Sequence, residues 1–151
     1  MTAWTSALAA LKANCVLAAA DVSPMIPLTR IGEPDECNQD TIALWPIGSR
    51  LSHTGGMTLS LVHLERGVMV KAYLRGSIRA GSIDETLEAR LVALEEALFT
   101  RIWADASCGG YTIGLSLDTS DYGWEVVEKQ LARTLTITVW LDLPSIATIA
   151  L

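Results

Sequence analysis

The sequence predicts an α+β fold in which an antiparallel or mixed sheet of four to five strands carries two helices packed on one face, in the order α-β-β-β-α-β-β. Three observations lead there. Two stretches place apolar residues at helical spacing, several others alternate with period two, and the last strands are joined by segments too short for a parallel crossover. The 151 residues match the length of one domain, and 1–151 is read as a single unit.

Trp4, Leu8, Leu11 and Cys15 fall on one helical face, with Thr2 available as a cap, so 3–19 reads as the first helix. Pro24, Pro27, Gly32 and Pro34, with the polar run Glu33 to Asp40, predict a long loop over 21–40. Loops of that length often contact a neighbour. Thr41 to Trp45 predicts a short strand ended by Pro46, and a loop through His53 to Gly56 follows. Residues 57–64 and 68–75 alternate around Glu65-Arg66-Gly67, which reads as a hairpin turn, and the adjacent Leu61 and Val62 suggest a bulge in its first arm.

Ser82-Ile-Asp-Glu85 has the pattern of a capping box, and Leu87, Leu91, Leu94, Leu98 and Ile102 follow it, predicting a helix over 84–103. Asp84, Glu85 and Glu88 suit the positive end of its dipole. Cys108-Gly109-Gly110 reads as a turn into a strand over 111–118, and Asp121 to Gly123 as another turn. Residues 124–130 fit neither period. Leu135, Ile137, Val139 and Leu141 alternate with threonines and Trp140, giving a strand over 133–143 that Pro144 closes, with a tail over 144–151.

Half of the residues are hydrophobic (50%) and the mean hydropathy is +0.35, more apolar than a monomer needs. Part of that surface is expected to meet other subunits. A net charge of −6 and a pI near 4.8 oppose a tight grip on nucleic acid. Cys15, Cys37 and Cys108 are spaced for neither a disulfide framework nor a zinc site, and a reducing compartment fits them. The apolar stretch ending at Ala20 lacks a basic start and is interrupted by Lys12 and Asn14, so no signal peptide is expected. No uninterrupted apolar run reaches the ~18 residues of a membrane span.

Catalysis would need a nucleophile beside a base, and His53 and His63 are the only imidazoles. His53 stands in the Ser52 to Gly56 loop and His63 in a strand, neither near a persuasive partner. Gly109 and Gly110 supply the positive φ of a turn in which Cys108 fills space rather than reacts. Glu33, Asp35, Glu36, Cys37 and Asp40 lack the spacing and central glycine of a calcium loop, and no phosphate-cradling glycine pattern occurs. No catalytic, metal-binding or cofactor-binding residue is therefore expected. Arg75 and Arg79, with Lys71, form a basic cluster that reads as solubilising charge or as a contact for an acidic neighbour. Arg75, Arg79, Glu33, Asp35 and Glu36 are the candidate subunit-interface residues.

The segments Thr41-Ile-Ala-Leu-Trp-Pro46, 57–75, 84–103, Asp105-Ala-Ser-Cys-Gly-Gly110 and 133–143 follow one another along the chain after the first helix and carry a resemblance that covers most of the chain from about residue 3 to 143. In their order the chain resembles the tail terminator proteins of long-tailed bacteriophages and related gene transfer particles. The resemblance implies a homohexameric ring at the head-proximal end of the tail, assembled in the host cytoplasm and resident in the virion. Such a ring stacks on the last ring of the major tail tube protein, halts its polymerisation and presents a surface to the head connector. DNA would pass through its lumen without specific binding, and no membrane would be involved. The alternatives are another neck or tail-tube subunit, or a small cytoplasmic enzyme or ligand-binding domain using the 46–56 loop and His53.

Overall fold

The computed structural model describes residues 3–55, 59–75, 85–118, 120–143 and 147–150, with 51–55, 59–63 and 147–150 described as backbone. Its elements are α1 (Ala3–Asp21), β1 (Leu28–Ile31), β2 (Thr41–Gly55), β3 (Leu59–Arg75), α2 (Glu85–Ala104), β4 (Gly114–Leu117), β5 (Asp121–Val127), β6 (Gln130–Asp142) and β7 (Ala147–Ala150). The class is α+β. The expected order α-β-β-β-α-β-β is that of the structure, continued by two further strands.

Period-two alternation decides which side of the sheet is buried. Ile42 and Leu44 of β2, Val68, Val70, Ala72 and Leu74 of β3, and Leu135, Ile137, Val139 and Leu141 of β6 all point the same way. Both helices cover that side. Leu87, Leu91, Leu94, Leu98 and Ile102 recur at three- and four-residue steps and are buried on α2, against Ala7, Leu8, Leu11, Cys15 and Ala18 of α1. Apolar composition and length alone would let α1 cross a bilayer. Its buried side instead lies in this core, and its buried Asn14 donates to the Asp105 carboxylate at 2.9 Å. At the C-terminal ends of the helices Arg101 grips Asp21 in a bidentate pair at 2.6 and 2.8 Å.

Among the described residues seven strands form one mixed sheet, where four to five were expected. Its width is nonetheless five, in the order β1-β2-β3-β6-β4. The surplus arises because β4 and β5 lie end to end along one side of β6, and β6 and β7 along one side of β3. Only β1 is parallel to its neighbour.

Sequence expectations are corrected at several places, among them the strand read over 111–118, which is only Gly114–Leu117, and the tail read over 144–151, which contains β7. The hairpin with a turn at Glu65-Arg66-Gly67 is a single continuous strand, with that tripeptide mid-strand between β2 and β6. Gly67 is there for close approach: a Cβ would lie 2.9 Å from Ile47 Cγ1 and 3.0 Å from the Trp140 ring. The short strand ending at Pro46 runs on to Gly55, so the 46–55 loop is strand, and the register shift lies between Pro46 and Gly48 instead of at Leu61. The 21–40 loop contains β1, and the turn read at 121–123 is the start of β5. The true turn is Glu128-Lys129, with φ of 47° and 64°. Of the predicted caps, Thr2 and Ser82 lie outside the described residues.

Leu94 is fully buried between α1 and the sheet. Leu94→Ala is expected to destabilise the fold by roughly 2–5 kcal/mol, read as a lower urea midpoint with an unchanged slope.

Candidate functional site

The acidic loop does not hang free. Between β1 and β2 it turns under the second face of the sheet, where buried Cys37 packs with Ala43, Tyr73, Val127 and Ala132. Glu33, Asp35 and Glu36 remain exposed on its outer side. Arg75, at the end of β3, ties the loop down: its backbone N–H donates to Asp40 Oδ1 at 2.8 Å and its guanidinium to the Asn38 carbonyl at 2.9 Å. Arg90 of α2 reaches the other Asp40 oxygen and the Pro24 carbonyl. The structure thus brings Arg75 to the acidic loop of its own chain, while Arg79 lies outside the described residues. Lys71, the third member of the basic cluster, pairs with Glu125 across β6 and lies 5.3 Å from the Tyr73 ring.

His53 and His63 stand in β2 and β3, opposite Val62 and Ser52. Among the described residues no three of His, Cys, Asp and Glu converge as a metal site. The cysteines are free thiols, all buried. Burial, reinforced by Cys108, pushes the Cys15 thiol up to about 12, and burial beside Asp105 pushes Cys108 to about 11. A thiol held protonated at neutral pH is a poor nucleophile.

The turn after α2 is built as the glycines foretold. Cys108, Gly109 and Gly110 all have positive φ, and the Asp105 carboxylate accepts from the Gly109 N–H at 3.1 Å as well as from Asn14.

A different surface stands out, one the sequence did not reveal. Glu88, Val92, Glu95, Phe99 and Trp103 descend one side of α2 at three- and four-residue steps. Beside them runs the outer margin of the sheet, where Tyr122, Trp124 and Val126 share a face of β5 and Leu117 continues it on β4. The apolar members are strongly exposed: Trp103 is 60% and Val126 67% accessible, Tyr122 and Trp124 over 40%. The polar members are satisfied internally. Arg133 forms a bidentate pair with Glu88 at 2.7 and 3.1 Å and lies beneath the rings of Tyr122 and Trp124, 5.8 and 5.1 Å from their centroids. Glu95 accepts from Ser120 at 2.7 Å and from the Tyr122 hydroxyl, a bond that with partial burial raises that phenol to about 12. Tyr122, Trp124 and Val126 do alternate in the sequence, but 124–130 fitted neither period because Glu128-Lys129 carries no Asn-Gly or Asp-Gly turn signal.

In comparisons with known proteins, no family model matches the chain and no curated protein matches it.

The Asn14 donor and the Gly109 N–H hold the Asp105 carboxyl below its ordinary value of 3.8. A carboxylate depressed in the folded state adds stability that is full above the unfolded value and is lost as pH falls through the folded one. Asp105→Asn is therefore expected to lower stability at neutral pH and to shrink the loss on acidification. Urea titrations at about pH 7 and about pH 3 measure both effects.

Proposed function

We propose that this chain is a ring-forming structural protein of a long-tailed phage or gene transfer particle, the terminator that ends the tail tube and joins it to the head connector. The observation that supports it is the flank between α2 and β5. A stripe of exposed aromatic and aliphatic side chains lies beside a strand edge that is unpaired among the described residues, a surface suited to a neighbouring subunit. The order of elements that carries the resemblance supports it too. With a net charge of −6, the protein suits a conduit through which DNA passes without being held. No catalytic step belongs to this reading.

Native mass measurement of the purified protein is expected to show a discrete ring, with the hexamer as the resemblance implies. Added to polymerising tail tube protein, it is expected to cap one end and limit tube length, visible by negative-stain electron microscopy. A protein that stays monomeric at high concentration and leaves tube growth unaltered refutes the proposal. One found in every ring along the tube is a tube subunit instead.

A further inference from the structure

Among the described residues, β1 closes one end of the sheet and β5, end to end with β4, the other, and β1 and β5 each have one unpaired side. At one end is β1, which β2 pairs on its inner side only; at the other is β5, which β6 pairs on its inner side only. Edge strands left this way are ordinarily blunted by lysine, proline or a bulge. Neither β1 nor β5 contains lysine or proline.

The backbone of β5 is aimed outward at the same residues that expose their side chains. The two-residue turn Glu128-Lys129 makes Val127 and Gln130 a hydrogen-bonded pair, and alternation from there points the N–H and C=O groups of Tyr122, Trp124 and Val126 away from β6. Those three side chains share the helix side with Leu135. Asp121 and Glu125 take the other side, with Ala132.

On β1 the same division appears. Ile31 is in register with Leu44 and so faces the helix side, where it is 45% exposed. Arg30 is in register with Ala43 and faces the second side, without an ion-pair partner among the described residues. Nearby, Met25 is exposed as well. Strand directions also agree. Following the pairings across the sheet, β1 and β5 run in opposite directions, so β1 of a second copy laid beside β5 in the same orientation would pair with it antiparallel.

We infer that the occupant of the α2–β5 flank is the β1 edge of a second copy of this chain, joined head to tail so that the sheet runs on from one subunit into the next. The apolar residues then match on the helix side, Ile31 and Met25 against Tyr122, Trp124 and Val126. On the second side Arg30 meets Asp121, which is exposed and carries no partner among the described residues. Each subunit uses its β1 and β5 edges once, and closure of the chain of subunits into a ring leaves neither of these two open. A two-fold contact of β5 with β5 would bring the acidic Asp121 and Glu125 of both copies to one face without Arg30 opposite them, and would leave both β1 edges bare. The inference rests on the ring reading above and specifies its interface.

Engineered cysteines test it, because the native thiols are buried. Arg30→Cys with Asp121→Cys, treated with a short bis-maleimide, is expected to give a covalent ladder ending at the ring mass, while each single variant gives none. Val126→Lys, on the outer edge of β5, is expected to weaken association on the order of tenfold or more. Dimers from Asp121→Cys alone would mean a two-fold contact and overturn the inference. Failure of the double variant to cross-link, in a sample whose mass shows a ring, overturns this interface and leaves the ring reading standing. A ladder from protein that never caps tail tubes does the reverse. Monomer throughout, without cross-links, removes both.

Discussion

The length of β3 is the constraint from which the rest of the structure follows. Its 17 residues extend roughly 55 Å, whereas the 20 residues of α2 reach only about 30 Å. A helix layer of that size can bury one portion of such a strand, and it buries Val68, Val70, Ala72 and Leu74. The remaining length has to be satisfied within the sheet. It is, because β2 pairs with β3 along nearly its whole length and β7 takes up the side of β3 that β6 has left. Isolated two-stranded ribbons are marginal in water, so a third strand at Leu59 to Val62 is what makes the long arm tenable.

That constraint also shows where sequence reasoning succeeded and where it failed. The two helices and the strand at 133–143 were legible because their apolar periods report burial directly: Leu87 to Ile102 on α2 and Leu135 to Leu141 on β6 are the core. Breakers were misread, because the sequence does not say what a glycine or proline is for. Gly67 looked like a turn but makes room for Ile47 and Trp140. Pro46 looked like a strand end. Yet the Leu44 carbonyl accepts from Gly32 on the β1 side at 2.7 Å, and two residues later Pro46 turns its missing N–H to that same side, beyond the end of β1. No ladder bond is lost, so the strand continues. β1 was invisible for a simpler reason: four residues between Pro27 and Gly32 carry too little pattern to separate from loop.

The candidate site divides along the same line. Charge patterning put Arg75 and the acidic loop on one list, and they do meet, but within one chain, where the arginine anchors the loop at Asp40 and Asn38. What periodicity could not show was the α2–β5 flank, since its two halves are far apart in sequence and join only through the fold. The helix half was partly hidden by the stronger buried stripe beside it. A residue pattern reports that Leu94 and Leu98 face inward, while the role of Phe99 and Trp103 depends on which strand the helix comes to lie beside.

The polar chemistry of that flank decides what it can accept. Burying a charge that is left without a partner costs several kcal/mol, and many exposed surfaces are closed to protein contacts for that reason. Here the cost does not arise at the centre of the flank. Arg133 is held by Glu88 and covered by two rings, and Glu95 already receives the hydroxyls of Ser120 and Tyr122. These pairs remain intact whatever lies outside them. What the flank offers outward is ring and methyl surface together with the backbone groups of a strand edge, and a neighbour contributing a strand satisfies both at once: hydrogen bonds for the edge, and side chains of the same face for the rings. A small ligand could cover the rings, but it would leave the row of N–H and C=O groups on β5 to water, so the strand edge and the apolar stripe are matched together only by another polypeptide.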